Sequence, residues 1–219
     1  MAEPLAYEGT GYAVVEEEPP ELLGRNLVSS SYLLAGATAF FFIAFVFAYF
    51  YLRSLNNDHL WRPKHVDPSL TLGTLVMALT VASAIVVRLG LADHRAGNRV
   101  AWRRKGGVAL ALGVAALVLQ AIAWTQQGFG PTDGGFASVY FGWTAFLFLF
   151  VLGTVLWLEM TLATSIRYRA ATGTATPGEA SADIRDPLSL VRPSLETLTR
   201  YATFLAALGA LSWFVLYIL

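Results

Sequence analysis

The stretch SSSYLLAGATAFFFIAFVFAYFYLR, from Ser29 to Arg53, decides the class of fold to which this chain belongs. It contains no acid, no amide and no histidine, and its only charged residue is the arginine that closes it. The hydrocarbon core of a bilayer is about 30 Å thick, and an apolar helix of about 20 residues crosses it. The stretch therefore predicts a membrane-spanning helix that carries no reactive group of its own.

Four further apolar stretches of similar length follow along the chain. The five predicted spans cover residues of about 31–52, 69–92, 106–127, 136–163 and 199–219. All are continuously apolar and lack the two-residue alternation of a barrel strand, so we expect helices. Only 14% of the chain is charged, whereas soluble domains carry about 25%. The sequence predicts an all-α integral membrane bundle of five helices over residues 31–219, preceded by an acidic cytoplasmic segment, residues 1–30.

Lysine and arginine fall mostly on one side of this bundle. Successive spans cross the membrane in opposite directions, so the N-terminal segment, the second connection and the fourth connection lie on the same side. Twelve of the fifteen lysines and arginines lie in or beside these three segments. The other three are Arg53, Arg62 and Lys64. Short loops rich in these residues stay on the cytoplasmic side of a membrane. We therefore predict that the N-terminus lies inside and the C-terminus outside.

The spans lack the residues that hold redox centres in membranes. Haem and copper are bound there by imidazole or thiolate groups, but the chain has no cysteine, and His59, His65 and His94 all lie in connections. Two loop histidines beside Pro63 are better explained as solvated residues than as a metal site, because they lack a fixed geometry. We expect no catalytic, cofactor-binding or metal-binding residue. The zero net charge gives no argument for nucleic acid.

Two polar residues lie within the predicted spans and carry alternative interpretations. Glu159, toward the inner end of the fourth span, either reaches headgroup water or a neighbouring helix, or serves as a proton or lipid-contact group. The first is favoured, because polar residues near helix ends cost much less than central ones. Gln120 is the one amide well inside a span. We expect it to form a hydrogen bond across helices rather than to bind a substrate.

Small residues recur at helical spacing in three of the spans. They are Ala37, Ala44 and Ala48 in the first, Ala109 and Gly113 in the third, and Ala206 and Ala210 in the fifth. Such stripes let helix backbones approach closely. They predict a bundle that packs well and catalyses nothing alone.

Each span also contains a short pattern that recurs in a known family. In chain order these are FAYFYLR (47–53), GTLVMALTVAS (73–83), QAIAW (120–124), SVYFGWTA (138–145) and RPSLETLTRY (192–201). Together, and in this order, they resemble subunit III of the haem–copper terminal oxidases, the cytochrome c and quinol oxidase family, in its short five-helix form. The similarity extends over nearly all of residues 25–219.

Several family positions carry a different residue in this chain. The family's glutamate in the first of these helices falls at Thr38, and the acid of its Q-x-x-E pattern falls at Ala123. Its paired histidines fall at Leu147 and Phe150, and a histidine common in the last helix falls near Thr203. The ionisable groups that the family places inside its helices are thus replaced here by apolar or hydroxyl groups.

The resemblance implies an accessory, cofactor-free subunit of a terminal oxidase in a bacterial inner membrane. Such a complex oxidises cytochrome c or quinol and reduces oxygen in aerobic respiration. Its haem and copper belong to partner subunits, so this chain would lie beside catalytic subunit I, with subunit II in the same complex, and hold phospholipid. Candidate lipid or inter-helix contacts are Arg53, Gln120, Glu159, Arg192 and Arg200. The resemblance also implies a lipid-filled cleft that separates the first two helices from the later three.

Two other functions are compatible with a small five-helix protein. One is the related subunit III-like partner of nitric oxide reductase, which shares the helix number and the short length. The other is a stand-alone transporter, for which inverted repeats, broken helices and polar groups near the midplane are expected. None of these transporter features is visible in the sequence.

Overall fold

The structure is a computed structural model that describes residues 20–56, 61–63, 66–172 and 188–219. Within these residues the chain forms five α-helices: α1 (Pro20–Ser54), α2 (Leu70–Arg95), α3 (Arg99–Gln126), α4 (Gly135–Thr172) and α5 (Leu188–Tyr217). Each contains a stretch that is long and apolar enough to cross a membrane. The prediction of an all-α, five-helix, multi-pass membrane protein is confirmed. Most of the predicted acidic segment, residues 1–19, and the loop residues Asp58, His59 and His65 lie outside the described residues.

The helices are longer than the predicted spans, mainly at one end of the bundle. α3 begins at Arg99 rather than near residue 106, and α5 begins at Leu188 rather than near residue 199. Hydropathy marks only the part of a helix that lies in hydrocarbon, and polar turns continue the same helix into water. We call this end, with the turn between α2 and α3 and the start of α5, the basic end. The opposite end, with Pro131 and Leu219, is the far end.

A three-residue turn at the basic end makes α2 and α3 antiparallel neighbours. Gly97 has a φ of +79°, a left-handed conformation that glycine adopts without strain. Asn98 then caps α3, because its side-chain oxygen accepts a hydrogen bond from the Ala101 amide at 3.0 Å. The polar residues of the basic end therefore set the direction in which the chain re-enters the membrane.

Four of the helices form a closed ring. α2 packs against α3, α3 against α4, α4 against α5, and α5 packs back against α2. The pairs that face each other across the ring, α2 with α4 and α3 with α5, form no extensive contact in the described part of the chain. α1 lies outside the ring and packs against α5 and α4. The centre of the ring is therefore lined by four different helices.

This arrangement contradicts the predicted cleft between the first two helices and the later three. The most extensive helix pair in the structure is α2 with α3, while α1 and α2 do not pack as a pair among the described residues. Ala109 is fully buried in the α2–α3 interface region, and the Ser83 hydroxyl donates to the Ala109 carbonyl oxygen at 2.8 Å. The small residues of α3 allow this approach, so the prediction of a cleft between α2 and α3 was wrong.

The small-residue prediction holds for the ring but not for α1. Ala109, Gly113 and Ala206 are buried, whereas Ala37 and Ala44 are exposed on the outer surface of α1. α1 instead meets α4 through aromatic rings. The paired ring centroids are 4.7 Å apart for Phe41 and Phe146, 5.9 Å for Phe42 and Phe150, and 6.0 Å for Phe45 and Trp143. Edge-on and tilted aromatic pairs of this spacing are favourable, so aromatic rings rather than Ala37 and Ala44 attach α1, although Ala48 of the same stripe does pack against the core.

The orientation of the bundle stays a prediction that labelling can test. The chain has no native cysteine, so Thr132→Cys at the far end and Ala96→Cys at the basic end each place one thiol at an exposed position. We expect a membrane-impermeant maleimide added to intact cells to label position 132 and not position 96, because the basic end should be cytoplasmic. Labelling of position 96 alone would mean that the bundle is inverted.

Candidate functional site

Four of the side-chain hydrogen bonds between helices together reach every side of the ring. Three of the donors are indoles: the Trp124 Nε1 donates to Thr144 Oγ1 at 3.0 Å, the Trp143 Nε1 to Ser212 Oγ at 2.8 Å, and the Trp213 Nε1 to Thr74 Oγ1 at 3.0 Å. These bonds join α3 to α4, α4 to α5 and α5 to α2. The Ser83 bond described above joins α2 to α3. Each contributes about 0.6 kcal/mol by the average measured within a bilayer, and together they hold the ring closed.

A fifth hydrogen bond attaches α1 to the ring. Thr38 is 1% exposed, and its hydroxyl lies 3.0 Å from the hydroxyl of Tyr201 on α5. The Thr38 hydroxyl also donates to the Leu34 carbonyl oxygen at 2.7 Å. Since a threonine hydroxyl has one hydrogen, Tyr201 is the donor in the bond between the helices. The Thr38 hydroxyl thus donates one hydrogen bond within α1 and accepts one from α5.

Charged residues close the ring at the basic end. The Glu196 carboxylate on α5 accepts from Arg95 on α2 at 3.0 Å and from Arg192, one turn earlier on α5, at 3.4 Å. The ion pair of Lys105 with Asp93, at 2.6 Å, joins α3 to α2 in the same region. These side chains are partly exposed, so each pair stabilises the bundle by at most about 1 kcal/mol.

Hydroxyl groups of tyrosine close the ring at the far end. The Gln127 Nε2 donates to the Tyr140 hydroxyl at 3.1 Å, and the Tyr140 and Tyr217 hydroxyls lie 3.0 Å apart. The Tyr217 ring lies over Gly73 so closely that a Cβ at residue 73 would sit 2.2 Å from Tyr217 Cζ. Glycine is therefore needed at this position of α2, and the three polar side chains form a layer across the end of the ring.

The five candidate contact residues do not form one site. Arg53 lies at the far end with its Cζ 5.9 Å from the Tyr49 ring centroid, and Arg192 binds Glu196 at the basic end. Glu159 is exposed on α4, 24 residues or about 36 Å along the helix from Gly135. This length exceeds the hydrocarbon thickness, which favours the headgroup interpretation of Glu159. The Arg200 guanidinium is 5.6 Å from the Tyr32 ring centroid and connects α5 to α1.

Gln120 differs from its prediction. It is 8% exposed, in the wall of a cavity at the centre of the ring, and its Nε2 has no hydrogen-bond partner among the described residues. The expected bond from this amide nitrogen across helices is therefore not formed. The Tyr140 hydroxyl on α4, which bonds to Gln127 and Tyr217, is close to Gln120, but the Gln120 amide nitrogen does not meet hydrogen-bond geometry with it.

An apolar groove lies between α1, α4 and α5, outside the ring. Its volume is about 310 Å³. The lining side chains include Phe42, Val46, Trp143, Phe204, Leu208 and Leu211. Arg200 lies one helical turn from Phe204, toward the basic end. The groove thus combines an apolar channel at membrane depth with a positive charge at its cytoplasmic-side end, under the predicted orientation.

Sequence reasoning missed the indole bonds and the groove. A buried tryptophan in a span must place its N–H on an acceptor, so the residue type carried a signal. The acceptor of Trp143 is 69 residues away in the chain, and only the helix arrangement identifies it. Among the described residues, no group of three His, Cys, Asp or Glu side chains is close enough to bind a metal ion.

Comparison with known proteins adds no family assignment. No protein-family model matches the chain, and no match is found among the curated proteins. The similarity to subunit III therefore depends on the five patterns quoted from the sequence.

Proposed function

We propose that this chain is the subunit III counterpart of a haem–copper terminal oxidase in a bacterial inner membrane. It contributes packing and bound lipid beside catalytic subunit I, and the complex also contains subunit II. Haem and copper are held by these partner subunits, since no histidine or cysteine lies in the apolar spans of this chain. The chain carries out no redox step itself.

The observation that carries the proposal is the position of the residues that match the family patterns. Thr74, Ser83, Trp124, Thr144 and Tyr201 come from four different patterns. Each of them forms a hydrogen bond to another helix or to α1. The patterns therefore contain residues that bond one helix to another. A similarity at residues that bond helices together supports a helix arrangement shared with subunit III better than scattered apolar matches would.

The outer face of α1 supplies a surface for lipid or for a partner helix. Its exposed side chains include Leu33, Phe40, Ile43 and Phe47. Phe40 is 78% exposed although it lies near the middle of the span. Large apolar side chains that face away from the bundle over the full width of a bilayer suit lipid or another membrane subunit. An accessory subunit requires such a face.

The groove beside α1 is suited to hold one phospholipid chain. Its lining is apolar, and Arg200 at its basic end offers a cation to a phosphate headgroup. Basic side chains at the cytoplasmic side of membrane helices attract anionic lipids, by about 1 kcal/mol for each Lys or Arg. We propose this groove as the lipid site instead of the predicted cleft between α2 and α3. It lies where α1 packs against the ring.

The position of the missing carboxylate supports a role in packing rather than in proton handling. Thr38 is sealed between α1 and α5 with its hydroxyl engaged twice. A hydroxyl does not titrate near neutral pH. What remains for this region of the subunit is to join α1 to the ring and to form one wall of the groove.

Purification of the chain with its native partners tests the proposal. We expect a chain tagged at its exposed C-terminal residue, Leu219, to elute in a mild detergent with an oxidase catalytic subunit. The eluate should show a reduced-minus-oxidised haem spectrum and consume oxygen. An unrelated multi-pass protein of the same membrane with the same tag is the control. Elution with a nitric oxide reductase, or of the chain alone and free of haem, would contradict the proposal; the latter result would favour a transporter.

A further inference from the structure

The centre of the ring contains a cavity that the proposed function does not use. Its volume is about 50 Å³, and all four ring helices line it. Polar side chains in its wall include Thr80 on α2, Gln120 on α3, Thr144 on α4 and Ser212 on α5, and the Trp213 indole and the Tyr217 ring also line it. The rest of the wall is mostly apolar, and no charged residue is among the lining side chains. The cavity therefore suits a small neutral molecule rather than an ion.

The hydroxyl hydrogens in this wall are already donated to backbone oxygens. Thr80 donates to the Val76 carbonyl at 2.9 Å, Thr144 to the Tyr140 carbonyl at 2.7 Å, and Ser212 to the Leu208 carbonyl at 2.7 Å. Thr144 and Ser212 also accept the indole bonds described above. Among the described residues the Thr80 oxygen accepts no hydrogen bond and keeps both acceptor positions free, whereas the Thr144 and Ser212 oxygens each already accept one.

The Gln120 amide nitrogen is the unsatisfied donor in this wall. The side chain is 8% exposed, and Nε2 has no partner among the described residues. An amide nitrogen carries two hydrogens, and an unpaired donor in hydrocarbon is costly. A molecule in the cavity that accepts from Gln120 would remove this cost. A molecule that also donates a hydrogen bond could bond to the Thr80 hydroxyl oxygen.

The size of the cavity limits the molecule further. One water molecule requires a cavity volume of about 10–15 Å³, and a cavity that binds benzene measures about 150 Å³. At about 50 Å³, the ring centre has room for roughly three waters but not for a six-membered ring. Water both accepts and donates hydrogen bonds, as the wall requires.

The tyrosine layer lies at the far end of the cavity. Tyr217 lines the cavity, and its hydroxyl bonds to Tyr140, which in turn accepts from Gln127. Gly73 allows the Tyr217 ring to lie over α2 at this level. These side chains lie between the cavity and the loops of the far end.

We propose that the ring centre is a hydration site within the membrane, where a small cluster of water molecules is bound by the Gln120 amide and the Thr80 hydroxyl. The waters complete the polar wall and connect α2 to α3 in the far half of the bundle. The cluster forms with the ring itself and does not depend on the partner subunits.

Radiolytic hydroxyl labelling of the full chain in lipid nanodiscs tests this proposal. X-ray pulses convert bound water to hydroxyl radicals, which oxidise side chains beside it, and Met77 lines the cavity. We expect Met77 to be oxidised in the wild-type protein and at least about fivefold less in Gln120→Leu, which keeps the volume and removes the amide. Trp102 is fully buried at the basic end, away from the cavity lining, and should stay unlabelled in both.

Two further variants keep the test decisive. Thr80→Val removes the proposed acceptor and should lower Met77 oxidation, whereas Thr154→Val, on α4 outside the lining of this cavity, should not. If Gln120→Leu disturbs the fold, Trp102 becomes labelled, and Gln120→Met replaces it in the comparison. A wild-type Met77 as unlabelled as Trp102 would mean a dry cavity, and unchanged labelling in a folded Gln120 variant would mean that the amide holds no water. Either result overturns the proposal.

Discussion

Replacement of Thr38 by glutamate is expected to destabilise the bundle by about 3 kcal/mol. Thr38 lies 16 residues before the end of α1 at Ser54, about 24 Å from the far end of that helix, and is 1% exposed. Translocon-based scales assign about 2.5–3.5 kcal/mol to an ionised group at the centre of a span and less toward its ends, so this range is an upper limit for a charge at residue 38. The larger side chain also has to displace Tyr201, and overpacking of a filled interior costs about 1–3 kcal/mol.

The matched control is Thr38→Val, which keeps the shape and removes only the hydroxyl. We expect it to cost about 1 kcal/mol, because it leaves the buried Tyr201 hydroxyl without its acceptor. Thermal unfolding or denaturation with SDS of the detergent-solubilised chain measures both variants. If the glutamate variant is as stable as the valine variant, the space between α1 and α5 accepts a carboxyl group, and the argument that Thr38 is sealed is incorrect.

The number and type of helices were predictable because the bilayer sets both. About 20 apolar residues are needed to cross it, and the five stretches of that length became α1 to α5. The helix starts at Arg99 and Leu188 were not predictable from hydropathy. In water and headgroups a helix needs capping and propensity rather than apolar residues, so the hydropathy signal ends before the helix does.

The arrangement of the helices was harder to predict than their existence. Ala37 and Ala44 recur at helical spacing, as Ala109 and Gly113 do, yet only the second pair is buried. A small-residue stripe permits close packing but does not specify which face is covered. The cleft expected from the family resemblance was wrong for the same reason, since it required knowledge of which helices are neighbours.

The candidate site was predictable in part. Gln120 is conspicuous in the sequence because an amide inside a span is rare, but its cavity exists only once four helices form a ring. Arg200 was a candidate because it begins a span, whereas the groove beside it depends on the meeting of α1, α4 and α5. Chemistry that resides in one side chain is visible in a sequence, and a surface assembled from three helices is not.

Under the proposed function, removal of this chain from the oxidase complex is expected to shorten the working life of the complex without lowering its initial rate. The spans hold no histidine or cysteine, and the polar group buried between α1 and α5 is the Thr38 hydroxyl, which does not titrate near neutral pH. Early turnover therefore depends on groups in the partner subunits. What is lost with the chain is the apolar cover of α1 and the lipid of the groove, and both protect the catalytic subunit during sustained turnover.

Continuous oxygen consumption by the purified complex, with and without this chain, tests that role most directly. The two traces should start at the same rate within about 20%, after which the complex without the chain should inactivate several-fold sooner. Adding the chain back should restore the longer lifetime, and Thr38→Val should restore it equally well. An immediate and complete loss of oxygen consumption on removal would contradict the account, because the chain would then support catalysis itself.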